Sequence, residues 1–146
     1  MDNNLKREVI LQHYQNPVHK GLIDDKENNY IKVNMNNESC IDEVNLMVKL
    51  VDSKIVDIRF DGEACAICTS STSIMIDTLI GKTIDEAKNI LIQFSNMIDE
   101  QEYNIEVLEQ AIVYDDIGRQ PNRKKCALLG WLGMEKVINI VEHEAD

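Results

Sequence analysis

Four cysteines stand at positions 40, 65, 68 and 126, and thiols are the side chains best suited to hold a soft metal ion or to carry sulfur. Cys65 and Cys68 follow a strand-like run that ends at Phe60 and a glycine turn at Gly62. They precede the hydroxyl-rich run Thr69-Ser70-Ser71-Thr72-Ser73, which reads as a helix start. A thiol in the first turn of a helix sits near the positive end of the dipole and near unpaired N–H groups, which favours the reactive thiolate. The C-x-x-C spacing also fits a zinc knuckle or a thioredoxin-like pair. A knuckle needs a second C-x-x-C or H-x-C pair, which the chain lacks, and a thioredoxin-like pair belongs in a βαβ unit and not behind an antiparallel hairpin. Cys40 falls in a loop between strands, and Cys126 in the first or second turn of the last helix. These are ends of elements, where a layered structure presents side chains along one edge; the competing reading, inert core cysteines, places them inside apolar stripes. Asp42, two residues beyond Cys40, is the natural fourth ligand. Three thiolates and one carboxylate make a tetrahedral set suited to zinc and hold it less tightly than four thiolates would. Arg123, Lys124 and Lys125 would offset the negative charge of such a site; a solvated helix start is the alternative reading of that triplet.

The elements that must position these residues follow from periodicity. Asp2 or Asn3 caps a first helix with Leu5, Val9, Ile10 and Tyr14 on one face, ended by Asn16-Pro17, because the residue before proline avoids the helical region. His13 belongs to the turn motif that closes at Gly21, while His19 and His143 belong to the solvated surface. Three alternating runs, Tyr30 to Met35, Val44 to Val51 and Lys54 to Phe60, read as strands, the last two joined as a hairpin through Asp52-Ser53. In the third, Val56, Ile58 and Phe60 face the core. A three-stranded antiparallel meander needs helices over its apolar face, so the fold class is α+β. Ile74, Met75, Leu79 and Ile80 mark a helical stripe, and Thr83-Ile84-Asp85-Glu86 is a capping box opening the next helix. One short helix and a surface loop are expected between Asp99 and Gln120. Pro121 then opens the last helix, with Leu128, Leu129, Leu132, Val137, Ile138 and Val141 inward.

Length and charge bound the function. With 146 residues, the chain reads as a single domain over 1–146. Its 26 acidic against 15 basic residues give a net charge of -11, which disfavours nucleic acid and anionic membranes as partners. No basic-flanked apolar leader is present, and no apolar run approaches the ~20 residues that span a bilayer. The expectation is a cytoplasmic protein whose cysteines serve as ligands, reactive thiols or core residues and not as disulfides.

Taken together, His13-Tyr14-x-x-Pro17-x-x-x-Gly21, Cys40-x-Asp42, Gly62-x-x-Cys65-Ala66-Ile67 before the hydroxyl-rich helix start, and Arg123-x-x-Cys126-x-Leu128-x-x-Trp131 make the chain resemble the IscU/NifU N-terminal family of iron–sulfur cluster assembly proteins. Within it the SufU branch is the nearest likeness. Lys125 stands where the scaffold branch usually carries a ligating histidine, and a segment near 100–120 precedes the last helix. The resemblance implies the IscU/SufU-like fold and a metal site on Cys40, Asp42, Cys65 and Cys126. Cys68 is left out of that ligand set, and Ile41 replaces the usual glycine between the first cysteine and the aspartate. Zinc is the implied cofactor, with iron or a [2Fe–2S] cluster as the alternative. The implied role is a carrier more than a turnover enzyme: it accepts persulfide sulfur from a SufS-like cysteine desulfurase, with Cys40 as acceptor, and serves a downstream cluster-assembly complex. Arg123 and Lys125 would compensate charge or meet the partner. A scaffold that builds a [2Fe–2S] cluster is the second reading, and a structural zinc module for protein interaction is the third.

Overall fold

Alternating apolar and polar residues build the sheet. In the computed structural model, which describes residues 1–27, 29–37 and 41–144, strands β1 (Ile31–Asn36), β2 (Glu43–Val51) and β3 (Lys54–Asp61) pair antiparallel in the order β1-β2-β3. Val33 lies opposite Leu46, and Leu46 opposite Phe60, so all three strands contribute to one buried face. The hairpin turn holds Asp52 and Ser53 at φ of 52° and 63°, the left-handed pair that a two-residue turn needs to match the strand twist.

One expectation for β3 fails. The register shifts between Lys49, which faces Asp57, and Leu50, which faces Ile55, so Val56 is an extra residue. Beyond such a bulge the facing of the strand reverses. Val56 is therefore 42% exposed, while Ile55 is fully buried.

Four α-helices and a coiled segment cover the sheet. The first, α1 (Asn3–Gln15), is capped by Asp2, whose carboxylate accepts the Leu5 N–H at 2.8 Å. Its inward positions are Lys6, Val9, Ile10 and His13, at i, i+3, i+4 and i+7. Leu5 and Tyr14, expected on that face, are one position off it and exposed. The second, α2 (Ala66–Leu79), is buried on all sides except at its start and at Asp77, and so carries far more than the expected stripe. Its buried hydroxyls are all bonded. Thr72 and Thr78 donate to the carbonyls of Cys68 and Ile74, Ser71 donates to the Ala127 carbonyl, and Ser70 shares a hydrogen bond with the Tyr114 hydroxyl. Bonding of that kind is what makes a polar helix tolerable in a core.

The capping box of α3 (Ile84–Ile98) forms as expected: Thr83 Oγ1 accepts the Glu86 N–H at 3.1 Å, and Glu86 accepts the Thr83 N–H at 3.0 Å. Residues 100–120 are not a helix and a surface loop. Short 3₁₀ helices at Ile105–Val107, Glu109–Tyr114 and Ile117–Arg119 bury Leu108, Ala111, Val113, Tyr114 and Ile117 in the core. Finally, α4 (Pro121–Glu144) lies across α2, β1 and β2. It comes so close to α2 at Gly130 that a Cβ there would lie 2.5 Å from Thr72 Oγ1. Trp131 stacks on Phe94 with centroids 3.8 Å apart and donates its indole N–H to Ser71 at 2.9 Å. Leu132, expected inward, is 44% exposed, its place being taken by Trp131, Gly133 and Met134.

The histidines also sort differently from expectation. His13 is buried, with Nδ1 2.7 Å from Ser73 Oγ and Nε2 2.8 Å from Gln110 Oε1, and so joins α1, α2 and the 3₁₀ segment. Gln110 Oε1 can only accept, so His13 Nε2 is the donor in that pair, while Ser73 Oγ also accepts the Val18 N–H at 2.9 Å. His19 is not free in solvent: its Nδ1 lies 3.0 Å from the Ile58 carbonyl oxygen and 3.2 Å from Asp57, beside a short parallel pairing of Lys20 with Phe60. His143 is exposed, as expected.

Candidate metal centre

The site lies at the end of the sheet where β2 begins and β3 ends. Gly62 makes the approach of the two flanking loops possible. Its φ is +133°, a conformation open to glycine, and a Cβ would fall 2.0 Å from the Glu43 carbonyl oxygen. The Glu43 N–H then donates to the Glu63 carbonyl at 2.8 Å, which holds the segment leading to Cys65 against the one that carries Asp42.

Cys65 is the N-cap of α2, with its sulfur accepting the Cys68 N–H at 3.4 Å. Asp42 completes the junction. One carboxylate oxygen accepts the Cys65 N–H at 2.7 Å, and the other lies 3.6 Å from Cys65 Sγ, with the thiol donating. Although an aspartate, Asp42 is only 1% exposed, and these bonds help offset its burial.

Cys126 comes from the second turn of α4, where its thiol lies 3.5 Å from the Asn122 carbonyl. The start of α4 is strapped to the same junction by Asn37, whose side chain donates to the Lys125 carbonyl at 3.4 Å and whose N–H donates to the Asp42 carbonyl at 3.2 Å. A carboxylate oxygen of Asp42 and the sulfurs of Cys65 and Cys126 thus lie within 4.8 Å of one another. Burial, above all, pushes the Cys126 thiol well above the usual range, and its hydrogen bonds and negative neighbours Asp42 and Cys65 push it further. Two thiols and a carboxylate facing one point are a donor set that fits a borderline-soft divalent ion such as zinc.

Of the residues singled out from sequence, Asp42, Cys65 and Cys126 come together, and Cys40 lies outside the described residues. Cys68 is fully buried behind Cys65, inside the hydrophobic core. The basic triplet divides. Lys124 turns away to form an ion pair with Asp99, whereas Arg123 and Lys125 are exposed and have no ion pair among the described residues. Sequence reasoning marked Gly62 as the turn before Cys65 without its part in joining the two loops, and missed Asn37 as a strap of the junction and Ser71 as the link from α2 to Trp131. For Gly62 the signal was available, as a glycine directly between a strand end and a cysteine-bearing helix start.

Comparison with known proteins gives this geometry a context. Residues 5–139 match the NifU-like N terminal domain. The zinc-dependent sulfurtransferase SufU of Bacillus subtilis is 36% identical over 137 residues, covering 93% of this chain and 90% of that protein. The iron-sulfur cluster assembly scaffold protein IscU of Streptococcus pyogenes serotype M1 is also 36% identical over 137 residues, covering 93% and 84%. Among solved structures, a proposed iron-sulfur cluster assembly scaffold protein for the SUF system from Fervidobacterium islandicum AW-1 superposes with a TM-score of 0.80 at 36% identity, covering 91% of this chain and 93% of that one. On the extent of these matches, the chain belongs to the family of NifU-like N-terminal domains.

Proposed function

We propose that this protein works in iron–sulfur cluster assembly by accepting persulfide sulfur from a cysteine desulfurase at a zinc site formed by Cys40, Asp42, Cys65 and Cys126. The observation that carries the reading is the convergence of Asp42, Cys65 and Cys126 from three separate parts of the chain. Similarity to a zinc-dependent sulfurtransferase supports the choice of metal and of chemistry. When bound, zinc holds its thiol ligands as thiolates and blunts them as nucleophiles.

The chain's own residues do the rest. Cys65 and Cys126 are anchored on helices, and Asp42 is tied to the Cys65 backbone, so these three form the fixed part of the site. Cys40, which stands between β1 and β2 in the sequence and two residues before Asp42, is the acceptor: its sulfur attacks the terminal sulfur of the desulfurase persulfide, the S–S bond of that persulfide breaks, and the desulfurase cysteine leaves as its thiolate. Exposed Arg123 and Lys125 meet the partner or offset the charge of the site. In a desulfurase assay with mass analysis of the carrier, Cys40→Ala abolishes persulfide uptake while circular dichroism stays native; undiminished uptake removes Cys40 from the mechanism.

The likeness to an IscU scaffold favours a second reading, in which the same side chains hold a [2Fe–2S] cluster as cargo. Anaerobic reconstitution separates the two. The carrier returns with zinc and no visible absorption, whereas a scaffold returns with a stable coloured cluster.

A further inference from the structure

We propose that Cys68 is a resolving thiol for sulfur carried on Cys65, so that the pair releases that sulfur as sulfide without an added reductant. The inference rests on the sulfur-accepting reading above and adds one exchange to it: Cys65 Sγ attacks the terminal sulfur carried on Cys40, the bond from that sulfur to Cys40 breaks, and Cys40 leaves as its thiolate. Cys65 caps α2 and Cys68 lies one turn on, with the Cys68 N–H 3.4 Å from Cys65 Sγ. Cys68 Sγ hangs three bonds from that same nitrogen, so rotation about a single side-chain torsion governs its distance from Cys65 Sγ. Residues three apart at a helix start fall within the Cα spacing of about 4.4–6.8 Å that a disulfide accepts.

The two thiols also differ in a useful way. Cys68 is fully buried, whereas Cys65 is half-buried, with an Asp42 carboxylate oxygen and Cys126 Sγ within 4.8 Å of its sulfur. The carried sulfur therefore sits on the more accessible thiol, and the thiol that displaces it is shielded from solvent.

The step balances within the chain. The Cys68 sulfur attacks Cys65 Sγ, and a new Sγ–Sγ bond forms. The bond from Cys65 Sγ to the terminal sulfur breaks with its electron pair on the departing atom, which leaves as hydrogen sulfide with the Cys68 proton. Two thiol sulfurs are oxidised to a disulfide, and the sulfane sulfur is reduced by the same two electrons. An external dithiol then reopens the Cys65–Cys68 bond by exchange. Cys126 also lies near Cys65 and is the rival resolving thiol.

The test loads the full-length chain anaerobically with cysteine persulfide, removes the donor by desalting, and follows released sulfide and the peptide map without added thiol. The wild type releases sulfide approaching one equivalent and shows a Cys65–Cys68 disulfide. In Cys68→Ser and Cys68→Ala, both checked for native circular dichroism, the extra sulfur stays on Cys65 and release falls by at least about tenfold. Equal release from the variants, a Cys65–Cys126 cross-link in the wild type, or no sulfur on Cys65 after loading overturns the proposal. Because a small-molecule donor bypasses the desulfurase, these outcomes concern the Cys65–Cys68 pair alone; failure of the desulfurase itself to load the chain counts against the acceptor reading instead.

Discussion

Cys126 shows how far a side chain's chemistry depends on its neighbours. Partial burial, a carboxylate and a second thiol all oppose its ionisation, so in the metal-free chain it stays protonated well above neutral pH. A metal ion that binds there must displace that proton, and metal binding releases it to solvent. Zinc affinity therefore rises with pH through the neutral range. In chelator competition between about pH 6 and pH 8, the wild type gains affinity steadily, and Cys126→Ala shows both weaker binding and a shallower slope. An affinity flat with pH contradicts this account of the thiol.

At the scale of elements, Gly62 has the largest local effect on the site. Alanine there meets two obstacles, a backbone conformation that costs about 1–3 kcal/mol and a Cβ pressed onto the Glu43 carbonyl. The remedy open to the chain is to part the two loops, which breaks the bond from Cys65 N–H to Asp42 as well. Gly62→Ala lowers the thermal midpoint and weakens zinc retention together. A variant that loses stability but keeps its affinity would show that the loops can adjust independently.

Much at this scale was legible in the sequence. The capping box at Thr83 and Glu86 and the hairpin through Asp52-Ser53 are local chemistry and form as read. The bulge at Val56 was hidden because Lys54 to Phe60 alternates well enough to mask one extra residue. The all-round burial of α2 was hidden because its hydroxyls look polar. Its signal was the absence of any charge from Ala66 to Ile76, which marks a helix with no solvent face. The 3₁₀ segment misled because Glu102, Glu106 and Glu109 suggested a surface, while Leu108 among them and Ala111, Val113, Tyr114 and Ile117 after them turn inward. Of the site, sequence and spacing marked Asp42, Cys65, Cys126 and the turn at Gly62; the close approach that this glycine permits and the strap made by Asn37 are legible only from contacts across the chain.

For the molecule as a whole, the core closes without help from the site. The apolar face of the sheet, the buried body of α2, the stack of Trp131 on Phe94 and the edge contact of Phe94 with Tyr114 form one core with the candidate site at its margin, and no buried side-chain nitrogen or oxygen is left without a partner among the described residues. Among the same residues, no helix is long and apolar enough to cross a membrane. Such a fold does not depend on a metal as a zinc finger does. After exhaustive chelation, far-UV circular dichroism is retained and unfolding stays cooperative, with a lowered midpoint as expected for loss of a ligand that binds only the folded state. Collapse of the fold on zinc removal would favour the structural zinc module in place of a carrier.

The three convergent donors also carry a message about timing. Asp42 and Cys65 flank the β2–β3 hairpin, so they can meet as soon as that hairpin closes, but Cys126 belongs to the last helix. A chain that has not yet made α4 lacks Cys126 and offers an ion two of these three donors, or three of the proposed four when Cys40 is included. Tight capture waits until α4 has been made and has docked, so occupancy of the centre reports that this helix is in place against the sheet and α2.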